Sequence, residues 1–113
     1  GVAIAPVTSW RYYDSIYTER YMLTPQQNPD GYKKSSPVNL TKEMNAKLLV
    51  MSGTADDNVH FSNTVEYMAR LHGAGKLCNL MIFPNKDHSI YGCNSRELVY
   101  SNLIRHFNQA FGK

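Results

Sequence analysis

Two short stretches hold the residues that could move a proton. In "GTADDNVHF", Gly53 to Phe61, the adjacent carboxylates Asp56 and Asp57 stand before Asn58 in a polar loop. In "NKDHS", Asn85 to Ser89, His88 occupies a second polar loop. An aspartate that accepts a hydrogen bond from an imidazole Nδ1–H fixes the ring tautomer and stabilises the charged form. The other ring nitrogen is then free to act as a general base. Plainer readings exist for the same residue types. An Asp-Asp-Asn loop ahead of a helix can be turn and N-cap chemistry, and a loop histidine can simply be solvated. Asp56, Asp57, His60 and His88 could also gather a divalent cation, but they follow no recognised ligand spacing. No metal or other cofactor is therefore expected.

Proton transfer requires that these loops be held by rigid elements. Three apolar runs have the character of buried strands: Val2 to Val7, closed by Pro6; Ala46 to Gly53; and Lys76 to Phe83, ended by Pro84. Phe61, Val65, Met68 and Ala69 mark an amphipathic helix that stops at Gly73 or Gly75. Asn94 with Glu97 predicts a capping box for a last helix, whose apolar face is Val99, Leu103, Ile104, Phe107 and Phe111. The stretch Ser9 to Met22 is unusually aromatic. Trp10, Tyr13, Tyr17 and Tyr21 recur three and four apart, so one helical face carries all of them. Such a face serves as core packing, a partner surface or a substrate pocket. Thr24 to Asn39 reads as loop, with one helical turn near Pro29 to Lys33.

The order β, α, loop, β, α, β, α predicts an α/β fold with a mostly parallel sheet, right-handed crossovers and flanking helices. In such sheets ligands bind beyond the carboxyl ends of the strands. Asp56 comes after the second strand and His88 after the third. On neighbouring strands about 4.8 Å apart they would emerge side by side.

Composition narrows the class. With 113 residues the chain is one domain at most, and 42% hydrophobic with 19% charged residues fits an ordinary folded chain. The net charge of +3 comes from scattered basic residues, so no stripe is present for a nucleic acid backbone. No apolar run approaches the roughly 20 residues that span a bilayer, and no membrane contact is expected of this segment. Cys78 lies in a strand-like run and Cys93 in a loop, and no disulfide is expected between them. "NLT" at Asn39 matches a glycosylation acceptor.

In α/β-hydrolases the catalytic residues occur in the chain order Ser, Asp, His. Here the last two occur in that order, each after a strand, but no Gly-x-Ser-x-Gly elbow occurs. The chain opens on "GVAIAPV", already strand-like, and three strands are few for an open sheet. The nucleophile strand is therefore expected before Gly1.

The stretches "APVTSWRYYDSIYTERYM", "LLVMSGTADDNVHF" and "DHSI" complete the reading. Over essentially its whole length the chain resembles the dipeptidyl peptidase branch of the prolyl oligopeptidase family of serine peptidases. The resemblance implies that residues 1–113 are the C-terminal portion of an α/β-hydrolase catalytic domain, incomplete as a domain, without its nucleophile strand and β-propeller. It implies an activity that releases N-terminal dipeptides with penultimate proline or alanine. Asp56 would be the triad acid and His88 the triad base. Val7, Trp10, Tyr13, Tyr17 and Val59 would line the pocket for the proline ring, and Asn58 would hydrogen-bond the carbonyl of the substrate's N-terminal residue. Asp57 receives no chemical role, only a structural one in its loop.

The family's propeller supplies acidic residues for the substrate's amino terminus, and the resemblance suggests a homodimeric, extracytoplasmic parent. The two cysteines do not match the family's disulfide in this region, whose first partner would precede Gly1. The isolated segment would lack peptidase activity and would self-associate through its unpaired first strand or the tyrosine face. Two other readings stay open at this level: an acylaminoacyl peptidase or esterase with a similar Asp and His, and a non-catalytic α/β interaction module.

Overall fold

The computed structural model describes residues 1–113. Its elements are β1 (Val2–Ile4), α1 (Ser15–Met22), α2 (Pro29–Lys34), β2 (Leu49–Gly53), α3 (Ser62–Gly73), β3 (Asn79–Phe83) and α4 (Ser95–Phe111). Short 3-10 turns lie at Trp10–Tyr12, Pro37–Asn39 and Thr41–Glu43. The three strands form one parallel sheet in the order β1-β2-β3. Val2 faces Leu49, Leu49 faces Asn79, and Gly53 faces Phe83.

Every residue of β2 is buried, as expected for a central parallel strand covered on both faces. Alternation sends Val50 to one side, where it packs with Val38, Tyr67, Met68 and Leu71. Leu49 and Met51 point to the other, against Phe83, Ile90 and Val99. Helix α3 thus covers one face and α4 the other. The outer strands are less protected: Ile4, Leu80 and Ile82 keep 45%, 38% and 42% of their surface exposed.

Several elements differ from the sequence-based expectation. Strand β1 ends at Ile4, because Ala5 turns to a φ of +48° just ahead of Pro6. The aromatic stretch is not one helix. A 3-10 turn carries Trp10, Tyr13 is extended, and α1 restarts with Asp14 as its N-cap. The Asp14 carboxylate accepts from the Ile16 amide at 2.8 Å and the Tyr17 amide at 3.2 Å, the local bonding that draws aspartate to helix starts. The β3 run begins at Asn79, later than Lys76.

In α3 the buried face is Thr64, Tyr67, Met68 and Leu71, while Val65 and Ala69 face solvent. The larger Tyr67 and Leu71 bury more area than Val65 and Ala69 would, which fixes the helix rotation. In α4 Val99 and His106 point inward, whereas Ile104 and Phe111 are exposed. The Asn94–Glu97 capping box is absent. Asn94 makes no side-chain cap bond, and its φ of −91° and ψ of 16° depart from the extended backbone of a capping residue.

Cys78 and Cys93 are both free thiols. Cys78 packs against the Val50 cluster. Burial pushes its thiol above the ordinary value, a shift opposed in part by a hydrogen bond with the Val50 backbone. The native state therefore holds this proton more tightly than the unfolded chain does. The stabilisation is present below the ordinary thiol range and is lost as pH rises through the folded value. Iodoacetamide at pH 8, followed by mass spectrometry, should modify exposed Cys93 well before Cys78, with the difference vanishing in denaturant. Equal native rates would contradict this placement of Cys78.

Candidate active site

The carboxyl ends of β2 and β3 deliver two loops that are bonded to each other. The Thr54 amide donates to the Phe83 carbonyl at 3.1 Å and the Ala55 amide to the Lys86 carbonyl at 3.0 Å. The Asn85 amide in turn donates to Thr54 Oγ1 at 2.8 Å. Asn85 supplies a left-handed turn with φ +59°, a conformation asparagine tolerates.

Gly53 makes this approach possible. A Cβ at this position would lie 2.2 Å from the Lys86 carbonyl oxygen, 2.8 Å from its carbon and 2.9 Å from the Asp87 oxygen. Only a residue without a side chain fits between the two loops. Just after His88, Ile90 takes a φ of +48°, a strained conformation for a β-branched residue. Its side chain is buried against Leu49, Met51, Phe83 and Val99, and that burial offsets the strain.

The Asp56 side chain is fully buried. Its Oδ1 accepts from the amides of Asn58 at 3.0 Å and Val59 at 2.9 Å. Its Oδ2 lies 2.8 Å from His88 Nδ1. A buried carboxylate left alone would carry a large desolvation cost, and three donors around one group offset it. The His88 side chain is 42% exposed, and Nε2 makes no hydrogen bond within the chain. The imidazole is held from one edge and open on the other, the arrangement needed to take a proton from a nearby hydroxyl.

Asp57 and His60 are exposed, and neither side chain bonds to Asp56 or His88. The Asp57 carboxylate makes no hydrogen bond, so the structure gives it no bonding role in the loop. No three His, Cys, Asp or Glu side chains converge into a cluster that would hold a metal ion.

The aromatic residues form a ladder of tilted rings. Trp10 and Tyr13 meet edge-on with centroids 6.0 Å apart, Tyr13 and Tyr17 edge-on at 5.5 Å, and Tyr17 and Tyr21 at 5.2 Å. Tyr13 Oη donates to Asn58 Oδ1 at 2.6 Å, which ties the ladder to the Asp56 loop. Thr8 adds a second tie. Its amide and hydroxyl bond to the Oδ1 and carbonyl of fully buried Asn63, at 3.1 and 2.7 Å. Val59 is buried beneath its loop and Val7 is half-buried ahead of Thr8. Trp10 and Tyr17 share a groove of about 240 Å³ with Thr18, Tyr21 and Met22. A larger cleft, about 540 Å³, lies at the opposite, amino ends of the strands near Lys47, Lys76 and His106. That is the wrong end for the chemistry of a parallel sheet.

Gly53, Asn63 and the Tyr13 hydroxyl do not stand out in the sequence as site residues. Only Gly53 carries a readable signal, a glycine at a strand end where another backbone can approach.

The parallel sheet with these loops at its carboxyl edge matches part of the α/β-hydrolase domain of solved dipeptidyl peptidases. The chain is a member of the prolyl oligopeptidase family, whose sequence model it matches over residues 1–113. It is 50% identical to the "Probable dipeptidyl-aminopeptidase B" of Talaromyces marneffei, over 98% of this chain and 13% of that protein. It is 48% identical to the protein of the same name from Phaeosphaeria nodorum, over 98% of this chain and 12% of that one. The crystal structure of Porphyromonas gingivalis dipeptidyl peptidase 4 superposes with a TM-score of 0.92 at 44% identity, covering 96% of this chain and 16% of that one. The chain thus spans about an eighth of the length of the curated relatives it matches.

Replacing Gly53 by Ala should force the two loops apart. Overpacking of this kind costs about 1–3 kcal/mol, readable as a lower urea midpoint with an unchanged slope. A wild-type midpoint would show that the loops yield without cost.

Proposed function

We propose that residues 1–113 supply the acid–base half of a serine peptidase that removes dipeptides from peptide amino termini, with preference for a penultimate proline. The observation that carries this reading is the 2.8 Å contact between buried Asp56 and His88 at the carboxyl edge of the sheet. Asp56 holds the imidazole through Nδ1 and stabilises its protonated form. His88 Nε2 takes the proton of a serine hydroxyl as that oxygen attacks the scissile carbonyl, and then gives the proton to the leaving amine. The serine and its oxyanion donors lie on parts of the parent enzyme outside these residues. The names of the relatives, dipeptidyl-aminopeptidase and dipeptidyl peptidase, support the substrate class.

Trp10, Tyr13 and Tyr17, with half-buried Val7, form the proline-facing surface, while Val59, at 5% exposure, offers the ring little area. Flat aromatic walls suit a ring that has no N–H to satisfy and much apolar area to bury. Asn58 holds the carbonyl of the substrate's first residue.

In the full-length enzyme, Asp56→Asn should lower kcat on the order of 10⁴-fold, because the amide no longer enforces the working tautomer. Fluorophosphonate should label one serine of the wild type, and His88→Ala should abolish that labelling. Full activity in either variant would reject the assignment. The isolated chain should give no stoichiometric adduct.

Replacing Tyr17 by Ala should remove about 2–3 kcal/mol of transition-state contact with the ring. This corresponds to about a hundredfold in kcat/KM on a penultimate-proline substrate. An activated ester that barely enters the pocket should lose far less. Equal losses on both, with a lowered Tm, would leave Tyr17 as a packing residue.

A further inference from the structure

The cleft at the amino ends of the strands lies outside the site described above, and the charge along its lining is of one sign. It has a volume of about 540 Å³ and is bounded by the segment leading into β2, the turn between α3 and β3, and the end of α4. A second cavity of about 280 Å³ adjoins it along α4 and shares Asn79, His106 and Gln109. Lys47, Lys76 and His106 line the first cavity, and Arg105 joins His106 in the second. No aspartate or glutamate lines either one. The ion pairs of the chain, Arg70–Glu66 and His88–Asp56, involve other residues. The two lysines and Arg105 therefore have no carboxylate counter-ion. A concave surface of one charge sign focuses its field and concentrates ions of the opposite sign. Its size is that of a small-molecule site.

Two of these cations are held by neutral partners. Lys76 Nζ donates to Asn45 Oδ1 at 3.2 Å, and Arg105 Nη2 donates to Asn102 Oδ1 at 2.6 Å. Such bonds restrain the side chains without cancelling their charge, and each cation keeps further N–H donors. His106 is different, because it is only 6% exposed. Its Nε2 lies 3.2 Å from the Lys47 carbonyl oxygen. A carbonyl can only accept, so Nε2 carries a hydrogen. Nδ1 makes no hydrogen bond within the chain and is not sealed from solvent. On a neutral ring Nδ1 is a lone pair. On a protonated ring it becomes a second donor, and the ring joins the cations around it.

We infer that this cleft binds a small polyvalent anion, a molecule carrying two or more phosphate or carboxylate groups. Lys47, Lys76 and Arg105 supply the charge. His106 supplies a buried donor once it takes up a proton, so the anion and the proton bind together. The titratable and charged groups around the ring are Lys47 ahead of β2, Lys76 and Cys78 between α3 and β3, and Arg105 on α4. None of them opposes an anion, since burial holds Cys78 in its neutral thiol form. Met44, Leu48 and Ala110 add apolar lining for the carbon frame of the ligand. By linkage, affinity rises as pH falls through the range in which imidazoles take up a proton. The cleft is at the other end of the sheet from Asp56 and His88, so its ligand touches neither.

Calorimetric titration of the full-length enzyme with pyrophosphate and with citrate tests this, at about 0.15 M salt so that distant charges are screened. Binding should be saturable. Tighter binding of pyrophosphate assigns a phosphorylated ligand, and tighter binding of citrate a polycarboxylate. Lys47→Ala combined with Lys76→Ala should weaken the tighter probe by about tenfold or more, the scale of lost charge-assisted hydrogen bonds. Lys33→Ala combined with Lys34→Ala removes the same charge from α2, which lines neither cavity, and should leave the affinity near that of the wild type. Sulfate, whose own charge is constant from pH 8 to pH 6, should bind the wild type more tightly at pH 6. His106→Gln should abolish that dependence. The lysine variants alter side chains that reach solvent and carry the test even where His106→Gln fails to fold. Absence of saturable binding by both probes, or equal weakening by the two lysine pairs, would overturn the inference. Sulfate affinity that is flat with pH in the wild type would overturn the coupled proton at His106.

Discussion

A carboxylate with no exposure to water has to be surrounded by donors, and the site is organised by that requirement at Asp56. Its two oxygens receive the amides of Asn58 and Val59 and the ring of His88. The first two bonds fold the loop after β2 into a tight turn, and the third reaches to the loop after β3. Every other feature of this edge of the sheet serves to bring those donors within reach. Gly53 allows the loops to touch, Asn85 turns the second loop back, and Ile90 accepts an unfavourable backbone conformation in exchange for a buried position. Removing the carboxylate would leave two amides and an imidazole without their acceptor, so the group is as much a structural centre as a chemical one.

The arrangement also explains why the aromatic segment sits where it does. After β1 the chain must cross to the front of the sheet, and Thr8 pins it there against buried Asn63 at the start of α3. From that anchor the 3-10 turn and the Asp14 cap step the rings of Trp10, Tyr13, Tyr17 and Tyr21 along one side. The break at Tyr13 and Asp14 is useful. It lets the Tyr13 hydroxyl point to the Asp56 loop while Tyr17 and Tyr21 continue along a helix.

Much of this is legible in the sequence, for identifiable reasons. β2 and β3 stand out as apolar runs bounded by Gly53 and Pro84, and a parallel sheet places the loops after both strands at one edge. The neighbourhood of Asp56 and His88 is a consequence of that alone. The features that could not be read live in three dimensions. The faces of α3 and α4 depend on which of several apolar residues buries more area, so Val65 and Ile104, expected inward, lie outward. The capping box at Asn94 fails because the preceding turn, with positive φ at Gly92 and Cys93, has already set a different backbone. The contact of Gly53 with Lys86 depends on how closely two loops approach, which no spacing encodes.

Asp56 and His88 are 32 residues apart along the chain, joined by the whole β2-α3-β3 crossover. Their contact is therefore a non-local one, and closing so long a loop has an entropic cost that must be met before the contact forms. The contact comes into existence with the parallel pairing of β2 and β3. Because β3 is an outer strand with exposed Leu80 and Ile82, His88 is carried by the less protected side of that pair. Local opening of the outer strand would separate His88 from Asp56 while the inner strand remained folded. The Asp56–His88 contact in this segment is thus exposed to the opening of one strand as well as to unfolding of the core.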